Sequence, residues 1–258
     1  MTRSVNLPIT KAFVYAAGYG TRLRPYTLAT PKPMLDVLGR PLVEYVLCYL
    51  ARAGVRHVTV NAAWLADAFD VLPARGRALG LDVAVSRQAE PYEHGGDLAA
   101  ATAFLGALGD DERFLAVNGD TVFWLDPGAL ARAATRVSAE APLLILGFPT
   151  AASPLRVRGG RLVGIGDHRY AAGEPDAHLD DFGVRVFHAS VRRHLPAPGT
   201  TQSLHGPNGL IARLYAAGCE VLVEPVEGYE RVEVGTVADY EGRESNEALR
   251  RLARRLCG

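Results

Sequence analysis

The apolar positions in the first 150 residues alternate between short continuous runs and helical spacing. The continuous runs predict buried strands over 12–18, 55–62, 81–87, 113–117 and 142–148. Spacings of three and four residues predict helices over 42–54, 63–72, 97–108 and 126–137. Because strands and helices alternate along the chain, the pattern predicts a mostly parallel sheet flanked by helices.

The rest of the chain follows a different pattern, which predicts a small antiparallel portion within an α/β fold. The elements predicted here are a hairpin that turns at Gly159-Gly160, strands over 182–189 and 219–226, a helix over 208–218 and a charged helix from Val237. No linker or internal repeat divides the sequence. We therefore expect one domain over 1–258, with a first half at about 11–130 and a second half at about 131–258.

Composition narrows the class of protein. The 28 basic and 28 acidic residues balance, so the net charge does not favour nucleic acid or an anionic membrane as a partner. No apolar run is long enough to span a bilayer, and the N-terminus lacks the apolar stretch of a signal peptide. Three scattered cysteines argue against a disulfide framework and a zinc cluster. We expect a cytoplasmic protein that acts on a small molecule.

Candidate chemistry lies at the carboxyl ends of the predicted strands, where open parallel sheets bind ligands. Gly18 and Gly20 free the backbone for a tight turn whose N–H groups can face an anion, and Arg22 carries donors suited to phosphate oxygens. Neither the third glycine of a dinucleotide-binding loop nor the Gly-Lys-Ser/Thr of a P-loop is present. By itself the stretch predicts either an anion-binding loop or an ordinary glycine-rich turn.

Lys32 stands between Pro31 and Pro33 in a chain with only one other lysine, Lys11, and 26 arginines. The two prolines restrict the backbone around it. A compact ammonium on a stiff backbone fits a phosphoryl group during its transfer, and the alternative is a solvated loop lysine. Since the chain carries nearly all its positive charges as arginine, we favour the first interpretation.

Asp120 closes the run VNGD after the fourth predicted strand. A carboxylate at the end of a strand is well placed for Mg²⁺, which prefers oxygen ligands. Asn118-Gly119 is also a strong hairpin signal, so a plain turn is the alternative. Because the next helix is predicted to start only near 126, we favour the metal site.

The stretch AAGYGTRLRPYTLATPKPM (16–34) resembles the signature of the sugar-1-phosphate nucleotidyltransferases. The resemblance continues through GRPLVEYVL, NAAWLADAF, EPYEHGG and VNGD, and so covers about residues 11–130. The chain looks most like the short members, such as N-acetylmuramate-1-phosphate uridylyltransferases and heptose- or mannose-1-phosphate guanylyltransferases. The resemblance implies a Rossmann-like, GT-A-like fold with a nucleotide-binding first half and an acceptor-binding second half.

The resemblance also implies a role for each matching residue. Nucleotide binding is implied for Ala16, Ala17, Gly18, Gly20, Thr21, Arg22, Gln88, Gly95 and Gly96. Arg22, Lys32 and Asp120 would be catalytic, with Asp120 holding Mg²⁺ and Asn118 touching the sugar nucleotide. In the implied reaction a sugar-1-phosphate oxygen attacks the α-phosphorus of an NTP in line and expels pyrophosphate.

Several positions depart from the family pattern. Glu233 in RVEVGT replaces the usual aspartate or asparagine, and is either the second Mg²⁺ ligand or a solvated strand residue. Arg169 in GDHRYA is the candidate for a lysine that grips the sugar phosphate, and Asp181 is the candidate for an asparagine that faces the sugar. Asp97 is expected to be the N-cap of the next helix, and His94 is either a loop histidine or a substrate contact.

Three functions remain open on the sequence. The leading one is a Mg²⁺-dependent transferase that joins an NTP to a sugar-1-phosphate or a cyclitol phosphate and forms an NDP-sugar. The second is a cytidylyltransferase for a non-sugar phosphate or a phosphonate. The third is a catalytically silent homologue that binds nucleotide sugars and regulates a partner. A monomer and a homodimer fit equally well.

Overall fold

The structure is a computed structural model that describes residues 9–258. Positions 1–8, where no signal-peptide pattern was found, lie outside the described residues. The strands are β1 (Lys11–Tyr15), β2 (Asp36–Val37), β3 (Arg40–Pro41), β4 (His57–Ala62), β5 (Asp82–Arg87), β6 (Arg113–Asn118), β7 (Thr121–Trp124), β8 (Leu143–Phe148), β9 (Leu155–Arg158), β10 (Arg161–Ile165), β11 (His168–Arg169), β12 (Ala177–His188), β13 (Val221–Pro225) and β14 (Glu230–Glu233). The α-helices are α1 (Leu42–Arg52), α2 (Leu72–Ala78), α3 (Glu93–Ala100), α4 (Thr102–Gly106), α5 (Pro127–Arg136), α6 (Leu210–Ala216), α7 (Val237–Glu241) and α8 (Glu247–Cys257). Within residues 9–258, none of these helices combines the length and the apolar character needed to cross a membrane.

The chain forms two compact units that interleave along the sequence. The first unit contains residues 9–91, Val117–Pro127 and Gly228–Gly258, and the second contains Tyr92–Ala116 and Gly128–Glu227. These boundaries differ from a division near residue 130, because the C-terminal segment returns to the first unit and pairs β14 with β7. That the whole chain is one domain remains a prediction.

The first unit contains the parallel strands that the apolar runs predict. β4 pairs in parallel with both β1 and β5. The middle of β1 is fully buried, as expected for a strand covered on both faces. α1 begins directly after Pro41 and its chain turns at Gly54, which has a φ of +95°.

A two-stranded antiparallel pair in the same unit was not predicted. β7 pairs with β14, which places Thr121 opposite Glu233. Tyr49 of α1 packs on Phe123 of β7 with 4.7 Å between the ring centroids. The guanidinium of Arg255 on α8 lies 4.0 Å above the ring of Trp124, where a cation is attracted to the ring face.

A disulfide bond joins Cys48 on α1 to Cys257 on α8 across 209 residues of sequence. The sequence argument against a disulfide was therefore wrong for this pair. That argument rested on separation along the chain, whereas disulfide formation depends on the distance between the cysteines in space, here 5.7 Å between Cα atoms. Cys219 is buried and free.

In the second unit the antiparallel portion is larger than predicted. β12 pairs antiparallel with β8 and β9, and β10 pairs antiparallel with β9, β11 and β13, while β13 and β8 are parallel. The predicted hairpin turns at Gly159-Gly160, where both residues have a positive φ. β12 starts at Ala177, five residues before the predicted strand, because its polar beginning does not show the apolar pattern. Stacked rings of Phe114 and Phe187 contribute to the core of this unit.

Three helix predictions were misplaced. The charged helix predicted from Val237 is interrupted after Glu241 and forms α7 and α8. The stretch predicted as a helix over 63–72 forms a 3₁₀ turn at Ala66–Val71, and α2 follows it. The helix predicted over 97–108 begins earlier, at Glu93, and breaks at Ala101 into α3 and α4. An alanine-rich sequence favours a helix but does not fix where the helix begins and ends. Here the start of α3 depends on the tertiary contacts of Gly95 and Gly96, whose N–H groups donate to the Gln202 carbonyl.

Candidate active site

The loop after β1 is shaped by Gly20, which has a φ of +62°. Its carbonyl accepts a hydrogen bond from Thr27 Oγ1 at 2.9 Å. A Cβ atom at position 20 would lie 3.0 Å from both Lys32 Cβ and Thr27 Cγ2. Two features therefore favour glycine at position 20, namely the positive backbone angle φ and the close approach of the Lys32 side chain. The buried Leu23 anchors the 3₁₀ turn Thr21–Leu23 that follows.

Lys32 and Asp120, 88 residues apart in sequence, meet in the first unit. Lys32 Nζ donates to Asp120 Oδ2 at 2.8 Å, and Lys32 is buried, with 9% of its surface exposed. Burial raises the pKa of Asp120, but the charge of Lys32 and hydrogen bonds from Lys32 and Thr121 outweigh it, so the net pKa lies below its ordinary value. Asp120 is therefore ionised at neutral pH.

Gly119 holds the chain before Asp120 against the end of β1. Its N–H donates to the Tyr15 carbonyl at 2.9 Å, and a Cβ atom at position 119 would lie 2.9 Å from that oxygen. β7, which follows, pairs with β14 and does not fold back on the preceding strand. Asn118-Gly119 therefore does not connect the two strands of a hairpin. The chain changes direction here and places Asp120 beside Lys32.

A cavity of about 230 Å³ lies over this pair. The predicted residues that line it are Ala16, Gly18, Gly20, Thr21, Arg22, Lys32 and Asp120. Ala17 is buried and does not line it. The side chain of Arg22 is exposed and makes no hydrogen bond or ion pair with any residue that the structure describes. A glycine-rich loop, an unpaired guanidinium and a buried ammonium together form a cavity suited to phosphate oxygens.

Asn61 at the end of β4 is a site residue that the sequence did not single out. It is 1% exposed, its Oδ1 accepts from the Ala16 N–H at 2.6 Å, and its Nδ2 donates to Gln88 Oε1 at 3.1 Å. Gln88 Nε2 in turn donates to the Glu90 carbonyl at 2.8 Å. Asn61 therefore fixes two predicted nucleotide-binding positions. Its only sequence signal was a polar residue inside an apolar strand.

The two proposed metal ligands both belong to the first unit, Asp120 in the turn before β7 and Glu233 at the end of β14. Glu233 stands opposite Thr121, the residue after Asp120, and is ion-paired with Arg231. Its side chain is 56% exposed and does not line the cavity. Within residues 9–258, no group of three or more acidic, histidine or cysteine side chains forms a ready metal cage. Mg²⁺ at phosphates typically takes only one or two carboxylates beside water and substrate oxygens, and Asp120 offers one such carboxylate at the cavity. That Glu233 is a second ligand remains a prediction.

Gly95 and Gly96 lie near the start of α3 in the second unit. Both N–H groups donate to the Gln202 carbonyl, at 2.8 and 3.0 Å. A Cβ atom on Gly95 would come within 2.8 Å of Gln202 Oε1, and one on Gly96 would overlap the Thr200 carbonyl. Close packing on the segment 200–202 thus accounts for both glycines, and their contact with a base remains a prediction.

Asp97 lies inside α3 and is not its N-cap residue, which is Tyr92. The N-cap prediction was therefore wrong, because the helix begins four residues earlier than expected; Asp97 Oδ1 instead accepts a hydrogen bond from the Tyr92 N–H at 2.7 Å.

Arg169 and Asp181, the two residues of the second unit that were predicted to contact the acceptor, differ in burial and in the number of their hydrogen bonds. Arg169 is exposed and forms a loose ion pair with Glu174, at 3.4 Å. Asp181 is nearly buried and accepts from Arg185 Nε and Nη2 at 2.9 and 2.6 Å and from the Gly183 N–H at 2.8 Å. The buried Arg185 was not expected, because its position in FGVRVFHA is within an apolar strand pattern.

The fold and the cavity define an α/β protein in which a glycine-rich loop lies over a buried lysine that is paired with an aspartate. Residues 11–154, more than half of the chain, match the family described as Nucleotidyl transferase, and the chain belongs to this family. This confirms the resemblance found in the sequence.

Two curated relatives each match slightly less than half of the chain. The N-acetylmuramate alpha-1-phosphate uridylyltransferase of Neisseria meningitidis is 41% identical over 117 residues, which is 45% of this chain and 49% of the relative. The mannose-1-phosphate guanylyltransferase of Mycobacterium tuberculosis is 36% identical over 115 residues, which is 45% of this chain and 31% of the relative. The chain thus spans about half or less of the length of these relatives.

Solved structures extend the likeness in fold to almost the whole chain. The inositol-1-phosphate CTP transferase from T. maritima superposes with a TM-score of 0.72 at 19% identity, covering 98% of this chain and 100% of that one. A putative glucose-1-phosphate thymidylyltransferase from Bacillus anthracis gives a TM-score of 0.70 at 15% identity, with coverage of 91% and 94%. At such identities the likeness concerns the fold alone.

Proposed function

We propose that this protein transfers a nucleotidyl group from an NTP to a sugar-1-phosphate or a cyclitol phosphate and releases pyrophosphate. The observation that carries the proposal is the Lys32–Asp120 pair, held at 2.8 Å under the glycine-rich loop and its free Arg22. Membership of the Nucleotidyl transferase family supports the same chemistry. The proposal includes a cytoplasmic location, where NTPs are available, and a monomer or homodimer.

Lys32 would change partner when the nucleotide binds. In the structure its charge is balanced by Asp120. A triphosphate in the cavity offers the ammonium an α-phosphate oxygen, and this frees the oxygens of Asp120 for a cation. Asp120, with Glu233, would hold Mg²⁺, which neutralises phosphate charge when it is bound.

The proposed reaction needs charge neutralisation and positioning more than a strong base. An oxygen of the acceptor phosphate forms a bond to the α-phosphorus. The bond from that phosphorus to the bridging oxygen breaks, and pyrophosphate leaves with the electron pair. Lys32 would stabilise the charge on the α-phosphate oxygens, and Arg22 would stabilise the departing phosphates.

The remaining predicted residues complete the proposal. Gln88, Gly95 and Gly96 would recognise the base, and Asn118, Arg169 and Asp181 would contact the acceptor. A silent regulatory homologue is less well supported, because Arg22, Lys32 and Asp120 all line one cavity. A cytidylyltransferase for a non-sugar phosphate differs only in base and acceptor, which the following assay distinguishes.

The test is pyrophosphate release with each of four NTPs and a panel of phosphates, with Mg²⁺ or with a chelator. The panel contains mannose 1-phosphate, glucose 1-phosphate, N-acetylmuramate 1-phosphate, myo-inositol 1-phosphate and phosphocholine. Lys32→Ala should lower turnover by about 100- to 1,000-fold, as expected for the loss of one charge that stabilises a transition state. Arg24→Ala is the matched control, since Arg24 is exposed on the same loop and does not line the cavity.

Two results would contradict the proposal. One is equal turnover of the Lys32→Ala and Arg24→Ala proteins. The other is the absence of turnover with every pair, together with no rise in melting temperature on adding any NTP, because a ligand that binds the folded state raises that temperature.

A further inference from the structure

A second cavity lies in the first unit and shares no lining residue with the candidate active site. It is formed by the turn between β2 and β3 together with α1 and α8, and its volume is about 440 Å³. That volume is within the range of roughly 300–1,000 Å³ that small-molecule sites occupy. Three arginines line the cavity, Arg40, Arg250 and Arg254, with one carboxylate, Glu244. The lining is therefore cationic.

Two of the three arginines have no partner. Arg40 donates to Glu44 and to the Cys257 carbonyl. Arg250 and Arg254 are exposed, and their guanidinium groups make no hydrogen bond or ion pair with any residue between 9 and 258. They stand four residues apart on α8, so two like charges share one face of the helix and repel each other. An anion in the cavity would relieve this repulsion.

The cavity also reaches the disulfide bond. Cys257 is half-buried and lines the cavity, whereas Cys48, its partner on α1, is 2% exposed and does not. A disulfide is opened by a thiolate that attacks one of its two sulfurs, and the rate depends on which sulfur the thiolate can reach. The sulfur that a thiol in the cavity reaches is that of Cys257.

The bond is unusual for the cytoplasmic location that is part of the proposed function. Glutathione and thioredoxin keep thiols reduced there, and the disulfides that do form are mostly transient, catalytic or redox-sensing. A reversible bond is therefore better supported than a permanent one. Only this step rests on the proposed function, since the cavity, its charges and the position of Cys257 do not depend on it.

We propose that the Cys48–Cys257 bond is a reversible redox site at which an anionic thiol attacks Cys257 from the cationic cavity. Arg250 and Arg254 attract the carboxylates of that thiol and so raise its local concentration beside the sulfur. Glutathione, which carries two carboxylates, is the probe for this class of thiol.

The exchange takes two steps. The sulfur of the first thiolate forms a bond to Cys257 Sγ, the bond to Cys48 Sγ breaks, and the Cys48 sulfur leaves with the electron pair and takes up a proton. A second thiolate then attacks the outer sulfur of the mixed disulfide, and Cys257 leaves as a thiolate that takes up a proton. The protein gains two electrons and two protons, and two thiols are oxidised to one disulfide.

The first experiment compares the rates at which glutathione and the uncharged 2-mercaptoethanol reduce the bond. Alkylation after denaturation labels only Cys219 in the oxidised protein and all three cysteines in the reduced one. The ratio of the two rates, glutathione over 2-mercaptoethanol, should fall about three- to tenfold in the Arg250→Gln/Arg254→Gln protein, because two charges near the reacting sulfur are lost.

The Arg77→Gln/Arg193→Gln protein is the matched control. Both residues are exposed arginines that do not line the cavity, and the change in net charge is the same. This protein should keep the rate ratio of the parent. An equal fall in both double variants, or no fall in either, would overturn the role of the cavity.

The second experiment identifies the sulfur that reacts. Cys48→Ser and Cys257→Ser proteins are incubated with glutathione disulfide, and the mixed disulfides are mapped by mass spectrometry. Cys257 in the first protein should be modified at least tenfold faster than Cys48 in the second, because it is the more accessible sulfur. Faster modification of Cys48 would overturn the proposed site of attack. So would a parent bond that stays intact in excess glutathione.

Neither experiment uses an NTP or an acceptor, so the inference and the proposed function fail separately. Exchange at Cys257 without pyrophosphate release would support the redox site and contradict only the proposed function. Pyrophosphate release by a protein whose bond resists glutathione would overturn the redox site alone.

Discussion

At the residue scale, the geometry of the glycine-rich loop after β1 depends on Gly20. An alanine there must adopt a left-handed backbone angle, and its Cβ would press on Lys32 Cβ at 3.0 Å. Gly20→Ala should lower the free energy of unfolding by about 1–2 kcal/mol and reduce turnover more than it reduces stability, because it moves the lysine. Urea unfolding and pyrophosphate release measure the two effects.

The control for this prediction is Gly18→Ala in the same loop. A Cβ atom at position 18 would meet nothing within 4 Å, and Gly18 does not have a positive φ. Its free energy of unfolding should stay within about 0.5 kcal/mol of the parent value. Equal destabilisation by the two substitutions would mean that the loop tolerates a side chain at position 20.

Single residues also show where sequence reasoning reached its limit. Lys32 and Asp120 were recognised because their neighbours are unusual, a proline on each side and a glycine directly before the aspartate. Asn61, Arg185 and His205 were not. The partners of Asn61 and the Asp181 carboxylate beside His205 lie far along the chain, whereas Arg185 is close in sequence to Asp181 but lies within an apolar strand pattern. A sequence pattern shows that a polar group is buried without showing what it faces.

At the element scale, the Cys48–Cys257 disulfide fastens α8 to α1. Cys257→Ser should lower the free energy of unfolding by about 2–5 kcal/mol, since the bond closes a loop of more than 200 residues in the unfolded chain. Urea unfolding with and without dithiothreitol measures the effect. The reductant should destabilise the parent protein and leave the Cys257→Ser variant unchanged.

Cys219→Ala is the matched control, because Cys219 is buried but free. It should retain the full response to the reductant. A parent protein that is indifferent to dithiothreitol would show that the two thiols are not bonded in solution.

The same helix explains why β14 was missed. Arg251 and Arg255 of α8 donate to the two oxygens of Glu230 at 2.9 and 2.6 Å and so hold the strand in place. Four residues that pair with only one neighbouring strand give too short a pattern to recognise. Longer apolar elements such as α1, β4 and β8 were predicted closely, because each contains enough apolar residues to show the period of a helix or a strand by itself.

At the scale of the whole molecule, acid should destabilise the protein in two stages. Burial lowers the pKa values of His194 and His205, so the unfolded chain binds protons first as the pH falls below 6.5, and stability decreases. Charge partners and hydrogen bonds outweigh burial and lower the pKa values of Asp120 and Asp181. The two ionised carboxylates therefore stabilise the fold above about pH 4, and this stabilisation is lost as the pH falls through their pKa values in the folded protein.

Urea midpoints between pH 7.5 and pH 3.5 measure this dependence. A His194→Gln/His205→Gln protein should lose the first decline and keep the second. A parent protein whose stability is constant from pH 7 to pH 5 would contradict the assignment of the two histidines.

The sequence by itself determined the parallel strands of the first unit, the family, and most of the residues that line the cavity. These follow from local information, namely the apolar period of each element and the unusual composition of one loop. Only the tertiary structure decided that the C-terminal segment returns to the first unit, that Cys48 meets Cys257, and that His205 stands beside Asp181. Each of these is a contact between residues distant in sequence, and such contacts are set by the packing of the whole chain rather than by any local pattern.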